Sequence, residues 1–145
     1  MLLNFRSLQL TLALMLALVF SQASTIAQTT YTWNGSVSTN WSLGANWTPV
    51  GIPNPTDHVI LVAAPNSPIL SGNTTIENLT MTSGVLSLGG FTLNAEGVQV
   101  FTAGTIQNGI LAGTTTTSTT FTNTTFAASS SLNINTGAVT INGGT

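Results

Sequence analysis

Three tryptophans, three carboxylates and one histidine are the residues of this chain whose chemistry could reach beyond packing. Trp33, Trp41 and Trp47 fall in one short segment, 28–56, together with the only tyrosine, Tyr31. Indole rings gathered this way could offer their faces to sugars. They could equally cover the end of a stacked fold, since Trp buries the most area per residue. We favour the cap and carry the carbohydrate site as the alternative. Asn46, just before Trp47, reads as a residue that satisfies a backbone group.

The carboxylates Asp57, Glu77 and Glu96 recur at nearly even spacing, each ahead of an apolar pair. Stacked as a repeat, they would stand in one line about 4.8 Å apart. Two such charges repel by about 0.9 kcal/mol even in bulk water. No basic side chain stands near in the sequence to offset this, so a calcium ion held by carboxylate and carbonyl oxygens is the ligand this ladder would take. The alternative places all three at solvated corners before each strand, because a buried unpaired carboxylate is too costly. Two carboxylates flanking one bond could also cleave a glycoside, and Asp57 and Glu77 would sit on adjacent rungs. However, the Arg or Lys of polysaccharide lyases is missing. Asp57 and His58 are neighbours on a strand and point to opposite faces, and no Ser or Cys stands out as a partner for His58. We assign no catalytic residue and expect no enzyme.

Composition narrows the field further. Of 145 residues only 3% are charged, against about 25% in a usual soluble domain. There is no Lys and no Cys, and the one Arg is Arg6. A Lys Schiff base, a Cys nucleophile, a zinc–thiolate site and a disulfide framework are excluded. Nucleic acid is excluded as a partner, because neutralising phosphates takes Lys or Arg. Anionic membrane surfaces fall to the same reasoning.

Residues 1–27 read as a secretory signal peptide. Arg6 supplies the charged start, and Leu10 to Phe20 an apolar run too short to span a bilayer. Small residues then frame cleavage after Ala27. No later run is long enough for a membrane span, so the expected destination is secretion or the cell surface.

The elements that must position these side chains are strands. After Phe20 no segment shows helical periodicity. Thr, Val, Leu and Ile alternate with polar residues and Gly interrupts every few positions, as in short strands. Asp57–Leu61, Glu77–Met81 and Glu96–Val100 align as repeats of roughly 20 residues. Leu79–Gly84 is echoed by Leu132–Gly137, and Leu86–Leu88 by Val139–Ile141. Such a coil cannot bury its own apolar face, so coils must stack. The expected fold is an all-β, right-handed parallel β-solenoid (β-helix) with a Trp-rich cap over 28–56 and coils over 57–145. One interior column would hold Val59, Leu79 and Val98, and a second Leu61, Met81 and Val100. An antiparallel β-sandwich is the alternative, with Asn108-Gly109 and Asn142-Gly143 as hairpin turns. The Thr/Ser-rich tract at 114–131 breaks the coil pattern and reads as a longer coil or an extruded loop. Flat Thr-rich solenoid faces can bind ice, but here the threonines read as a tract and not as one column per coil.

Trp33-Asn34-Gly35, Trp41-Ser42, Gly44-Ala45-Asn46-Trp47, Pro53 and Thr56-Asp57-His58-Val59-Ile60 form W-x-G-x5-W-x4-N-W with a Pro-rich link to a first strand. This resembles the N-terminal entry of large secreted bacterial β-helix proteins, of the autotransporter-passenger type or the surface adhesins of Bacteroidetes-like bacteria. The resemblance covers about 28–113. It implies a structural or adhesive role at the cell surface and brings no catalytic residues. It also implies a longer protein, with this chain as its N-terminal part and an open last coil suited to end-to-end self-association. The expected function is therefore a non-enzymatic structural or adhesive segment that meets an extracellular surface or glycan. A carbohydrate-binding module and a polysaccharide-cleaving enzyme stand behind it.

Overall fold

The computed structural model of the chain describes residues 27–113, 119–134 and 139–143. The expected signal peptide, up to residue 26, and positions 114–118 of the Thr/Ser tract lie outside the described residues. The chain opens with β1 (Thr30–Trp33), a 3-10 turn (Gly44–Asn46) and β2 (Trp47–Thr48). Then follow β3 (His58–Leu61), β4 (Thr74–Ile76), β5 (Asn78–Met81), β6 (Val85–Ser87) and β7 (Thr92–Ala95). The next coils contribute β8 (Gln99–Phe101), β9 (Gly104–Gln107), β10 (Gly109–Gly113), β11 (Thr119–Thr122) and β12 (Thr124–Phe126). β13 (Ser130–Ile134) and β14 (Val139–Asn142) complete the order.

These strands stack into a parallel β-solenoid of three sides. The longest side is a seven-stranded sheet in the order β14-β11-β8-β5-β3-β1-β2. A four-stranded side runs β13-β10-β7-β4, and a three-stranded side β12-β9-β6. Every pairing is parallel except β1 with β2, where Trp33 faces Trp47 and the chain doubles back over the first rung. Successive strands of one coil thus belong to different sheets, which excludes the antiparallel sandwich. Asn108-Gly109 joins β9 to β10 at a corner and closes no hairpin. Asn108 and Asn123 occupy left-handed corner positions, at φ 60° and 48°. Asn tolerates that region because its short side chain can bond locally.

Strand alternation sends every second residue inward. On the long sheet one inner column is Tyr31, Val59, Leu79, Gln99 and Thr119. The next holds Leu61, Met81, Phe101 and Phe121, with Trp33 at its head. Phe101 and Phe121 stack at 4.6 Å between centroids. The short sides contribute Leu93, Leu111 and partly buried Leu132 from one wall, and Leu86, Ile106 and Phe126 from the other.

The register corrects the sequence reading in its third coil. Leu79 pairs with Gln99 and Met81 with Phe101. The buried residues are therefore Gln99 and Phe101, whereas Val98 is 46% exposed and Val100 faces outward. The physical reason lies at the corner. β4 meets β7 with Ile76 opposite Ala95, a step of 19, while β5 meets β8 at a step of 20. One additional residue is taken up around Gly97, so the carboxylates do not mark equivalent strand positions. The echo of Leu79 in Leu132 is likewise not a stacking register. Leu132 pairs with Leu111 on the four-stranded side, whereas Leu79 lies in the long sheet. The described part of the Thr tract is not extruded. Thr119–Thr122 and Thr124–Phe126 are strands in register, with Phe121, Thr119 and Thr124 buried.

Candidate functional site

The three Trp rings lie inside the N-terminal end and not on its surface: Trp33 and Trp47 are 0% exposed and Trp41 1%. Trp47 stands edge-on between the other two, its centroid 4.8 Å from Trp33 and 4.7 Å from Trp41. Edge-to-face contacts of this kind add about 0.5–1.5 kcal/mol each beyond area burial. The indole N–H of Trp47 donates to the Trp41 carbonyl at 2.8 Å, and that of Trp33 to the Asn66 carbonyl at 2.7 Å. Asn66 returns a bond to the carbonyl of Gly35. Gly35 has φ +51°, and a Cβ there would overlap the Asn66 carbonyl and the Trp33 ring, so only Gly fits this turn. Buried Asn46 is spent within the cap. Its Nδ2 donates to Ser38 Oγ and the Asn40 carbonyl, and its Oδ1 accepts from the backbone N–H groups of Val37 and Ser38. With their faces covered, Trp33, Trp41 and Trp47 form no platform for sugar rings, and the expected ligand-binding role is corrected to packing.

The three carboxylates follow one another from rung to rung at one corner, Glu77 opposite Asp57 and Glu96 opposite Glu77, but in unequal surroundings. Asp57 is buried at 1% exposure. Its Oδ1 accepts from Thr29 N–H at 3.0 Å and its Oδ2 from Asn54 N–H at 2.9 Å. The cost of burial is met by two charge-assisted bonds to backbone, which the expectation of a solvated corner overlooked. The Asp57 carbonyl also accepts from Glu77 N–H at 3.0 Å, tying the cap to the next rung. Glu77 is half-buried, and Glu96 is exposed with Oε1 accepting from Asn94 Nδ2 at 3.3 Å. Among the described residues no group of three His, Cys, Asp or Glu side chains is placed to hold a metal ion.

His58 starts β3 on the outer face, opposite in direction to Asp57, as expected for neighbours on a strand. Its Nε2 shares a 3.0 Å hydrogen bond with Thr80 Oγ1 of the next rung. Partial burial holds its pKa below the usual histidine value of 6.5, which favours the neutral ring.

Sequence reasoning missed two features. The first is Gln99, a polar side chain 1% exposed in the middle of an apolar column. Its Nε2 donates to the carbonyls of Ala95 at 3.2 Å and Ala112 at 3.4 Å, while Oε1 is left unpartnered. Gly113 makes the space, since a Cβ there would overlap the Gln99 amide. The second is the outer face of the long sheet, where Ile60, Thr80, Val100 and Thr120 stand opposite one another on successive rungs. The signal that could have found both is the even 20-residue recurrence of Met81, Phe101, Phe121 and Ile141. That series was obscured by the carboxylates, which invite a step of 19.

Among the described residues no helix is long and apolar enough to cross a membrane. Compared with known proteins, the chain matches no curated protein and no solved structure. One family model matches residues 32–108, which hold the Trp cap and the first coils and amount to more than half of the chain. The chain belongs to the family described as a domain of unknown function, DUF8693.

Proposed function

We propose that this chain is a non-enzymatic structural or adhesive segment of an exported β-solenoid protein, displayed at the cell surface or secreted. The observation that carries the reading is where the reactive groups go. The three Trp rings are packed away, Asp57 is bonded to backbone, and His58 is bonded to a threonine. What the described residues turn outward is a surface of Thr, Ser and Asn with apolar side chains such as Val50, Ile52, Phe91 and Ile110 among them, nearly free of charge. Such a surface suits broad contact with a solid or with another chain, and it resists the proton-transfer chemistry an enzyme needs. The leader pattern over 1–27 supports export.

Beads coated with the purified mature chain provide the test. They are washed over glycan arrays and over polar and apolar solids, beside beads coated with an inert protein of similar charge. Selective retention on at least one surface class is the expected result. Equal wash-off from all of them overturns the adhesive role, and release of reducing sugar from any polysaccharide overturns the non-enzymatic one.

A further inference from the structure

We propose that the outer face of the long sheet is an ice-binding surface, its ligand being the ordered water of a crystal face. This goes beyond the adhesive reading and neither rests on it nor falls with it. Two parallel columns of side chains stand on that face. The first is Ile60, Thr80, Val100 and Thr120, fixed by strand register. The second lies one pleat further along and contains Val62, Thr82, Thr102 and Thr122. There Thr82 N–H donates to the Leu61 carbonyl at 3.0 Å and Thr102 N–H to the Met81 carbonyl at 2.9 Å, so the ladder continues past the strand ends. All eight residues are half-buried or exposed. All eight are β-branched, and none is charged.

The register makes this face a lattice. Rungs repeat at about 4.8 Å, and side chains two apart on a strand at about 6.6 Å. β-branched side chains are stiff at χ1, so hydroxyls and methyls are held in place before any ligand arrives. That pre-ordering removes much of the entropy cost of binding. Beneath the face, stacked Phe101 and Phe121 support the same rungs. Thr80 Oγ1 shares a bond with His58 and Thr82 Oγ1 donates to the Leu61 carbonyl at 3.4 Å, which fixes both rotamers; the hydroxyls of Thr102, Thr120 and Thr122 can exchange hydrogen bonds with water, and the methyls between them restrict first-shell water. A charged side chain would impose its own hydration shell on this array. The match is therefore to solid water, whose surface repeats in two directions as the face does. A crystalline polysaccharide would call for exposed aromatic rings, and the Trp rings here are inside. The four-stranded side lacks the pattern, since its outward column runs Thr75, Asn94, Ala112 and Asn133, with Glu96 bonded to Asn94.

The mature chain would be held in solution while ice grows slowly on a cold probe, and its share in the ice measured by tryptophan fluorescence. Recrystallisation of fine ice would be followed by microscopy in parallel. The wild-type chain is expected to enter the ice and to slow recrystallisation. Thr102→Lys should reduce both by about tenfold or more, equivalent to about 1.4 kcal/mol of lost binding, whereas Thr75→Lys on the four-stranded side should leave both unchanged. Circular dichroism confirms that each variant is folded. If Thr102→Lys does not fold, Thr102→Ser, which removes one methyl, is expected to weaken both effects. Rejection of the wild-type chain from the ice front overturns the proposal. So does undiminished ice uptake by a folded Thr102 variant, or an equal loss in Thr75→Lys.

Discussion

Replacing Asp57 by Asn changes one atom and tests what the buried carboxylate does. Asp57 accepts two backbone hydrogen bonds with two different oxygens, from Thr29 at 3.0 Å and Asn54 at 2.9 Å. Asn offers one acceptor oxygen and turns an NH2 toward the other donor. One N–H, of half-buried Thr29 or of Asn54, therefore loses its partner, and a polar NH2 replaces an acceptor on a side chain 1% exposed. An unsatisfied buried donor costs about 1–3 kcal/mol. Taking about 2 kcal/mol, a domain of this size should lose roughly 8 °C in Tm. Glu77→Gln and Glu96→Gln, at positions whose carboxylates are not buried, should stay within about 0.5 kcal/mol of the wild type. Urea denaturation of all four proteins, each with calcium and with a chelator, is the assay. The calcium and chelator curves should coincide for every one. The reasoning is refuted if Asp57→Asn behaves like the two Glu variants. It is refuted equally if calcium stabilises the wild type and Asp57→Asn abolishes that gain, because the carboxylate would then serve an ion.

Further expectations follow from the same geometry. Trp47→Ala removes the ring wedged between Trp33 and Trp41 and should cost about 3–5 kcal/mol, with loss of the near-ultraviolet circular dichroism of the cap. Gly113→Ala should destabilise by about 1–3 kcal/mol through overlap with the Gln99 amide; combined with Gln99→Ala the penalties should not add, which a double-mutant cycle in urea would read. His58 has its pKa lowered by burial. Folding then favours the neutral ring, so its contribution to stability is present above 6.5 and is lost as pH falls through the lowered value. Urea midpoints should therefore drop as pH falls below 6.5, and His58→Gln should flatten that part of the profile.

The stacking of coils was legible because it follows from alternation and from the length of the repeat. Val59, Leu79, Leu61 and Met81 are apolar at matching places 20 residues apart, and no fold of a single coil could bury them. The cap was legible too, since three Trp and one Tyr in a short segment must be covered by something. What could not be read was which polar groups are inside. Asp57 is tolerated in the interior because Thr29 and Asn54, distant from each other in sequence, bring two N–H groups to it. Gln99 is tolerated because Gly113, on another side of the solenoid, leaves it room. Asn54 is a local partner, but Thr29 and Gly113 are brought in only by the closed coil, and composition carries no trace of such pairing.

One register step separates an unremarkable surface from an ordered one. Aligned on Glu96, the third coil puts Val98 and Val100 indoors, and the remaining threonines scatter. Aligned on Phe101, as the strand pairing requires, Val98 and Val100 turn outward and Gln99 turns in. Val100 then falls into line with Thr80 and Thr120, and Thr102 with Thr82 and Thr122. Burial of Phe101 against Met81 and Phe121 is thus what places a hydroxyl or methyl at each lattice point of the outer face. Because side chains alternate with period two, a slip of one residue reverses every inward and outward position in a strand. The aromatic column and the outer array are therefore two consequences of a single constraint. Substitutions that loosen the first, such as Phe101→Ala, should disorder the second even though no outer residue has changed.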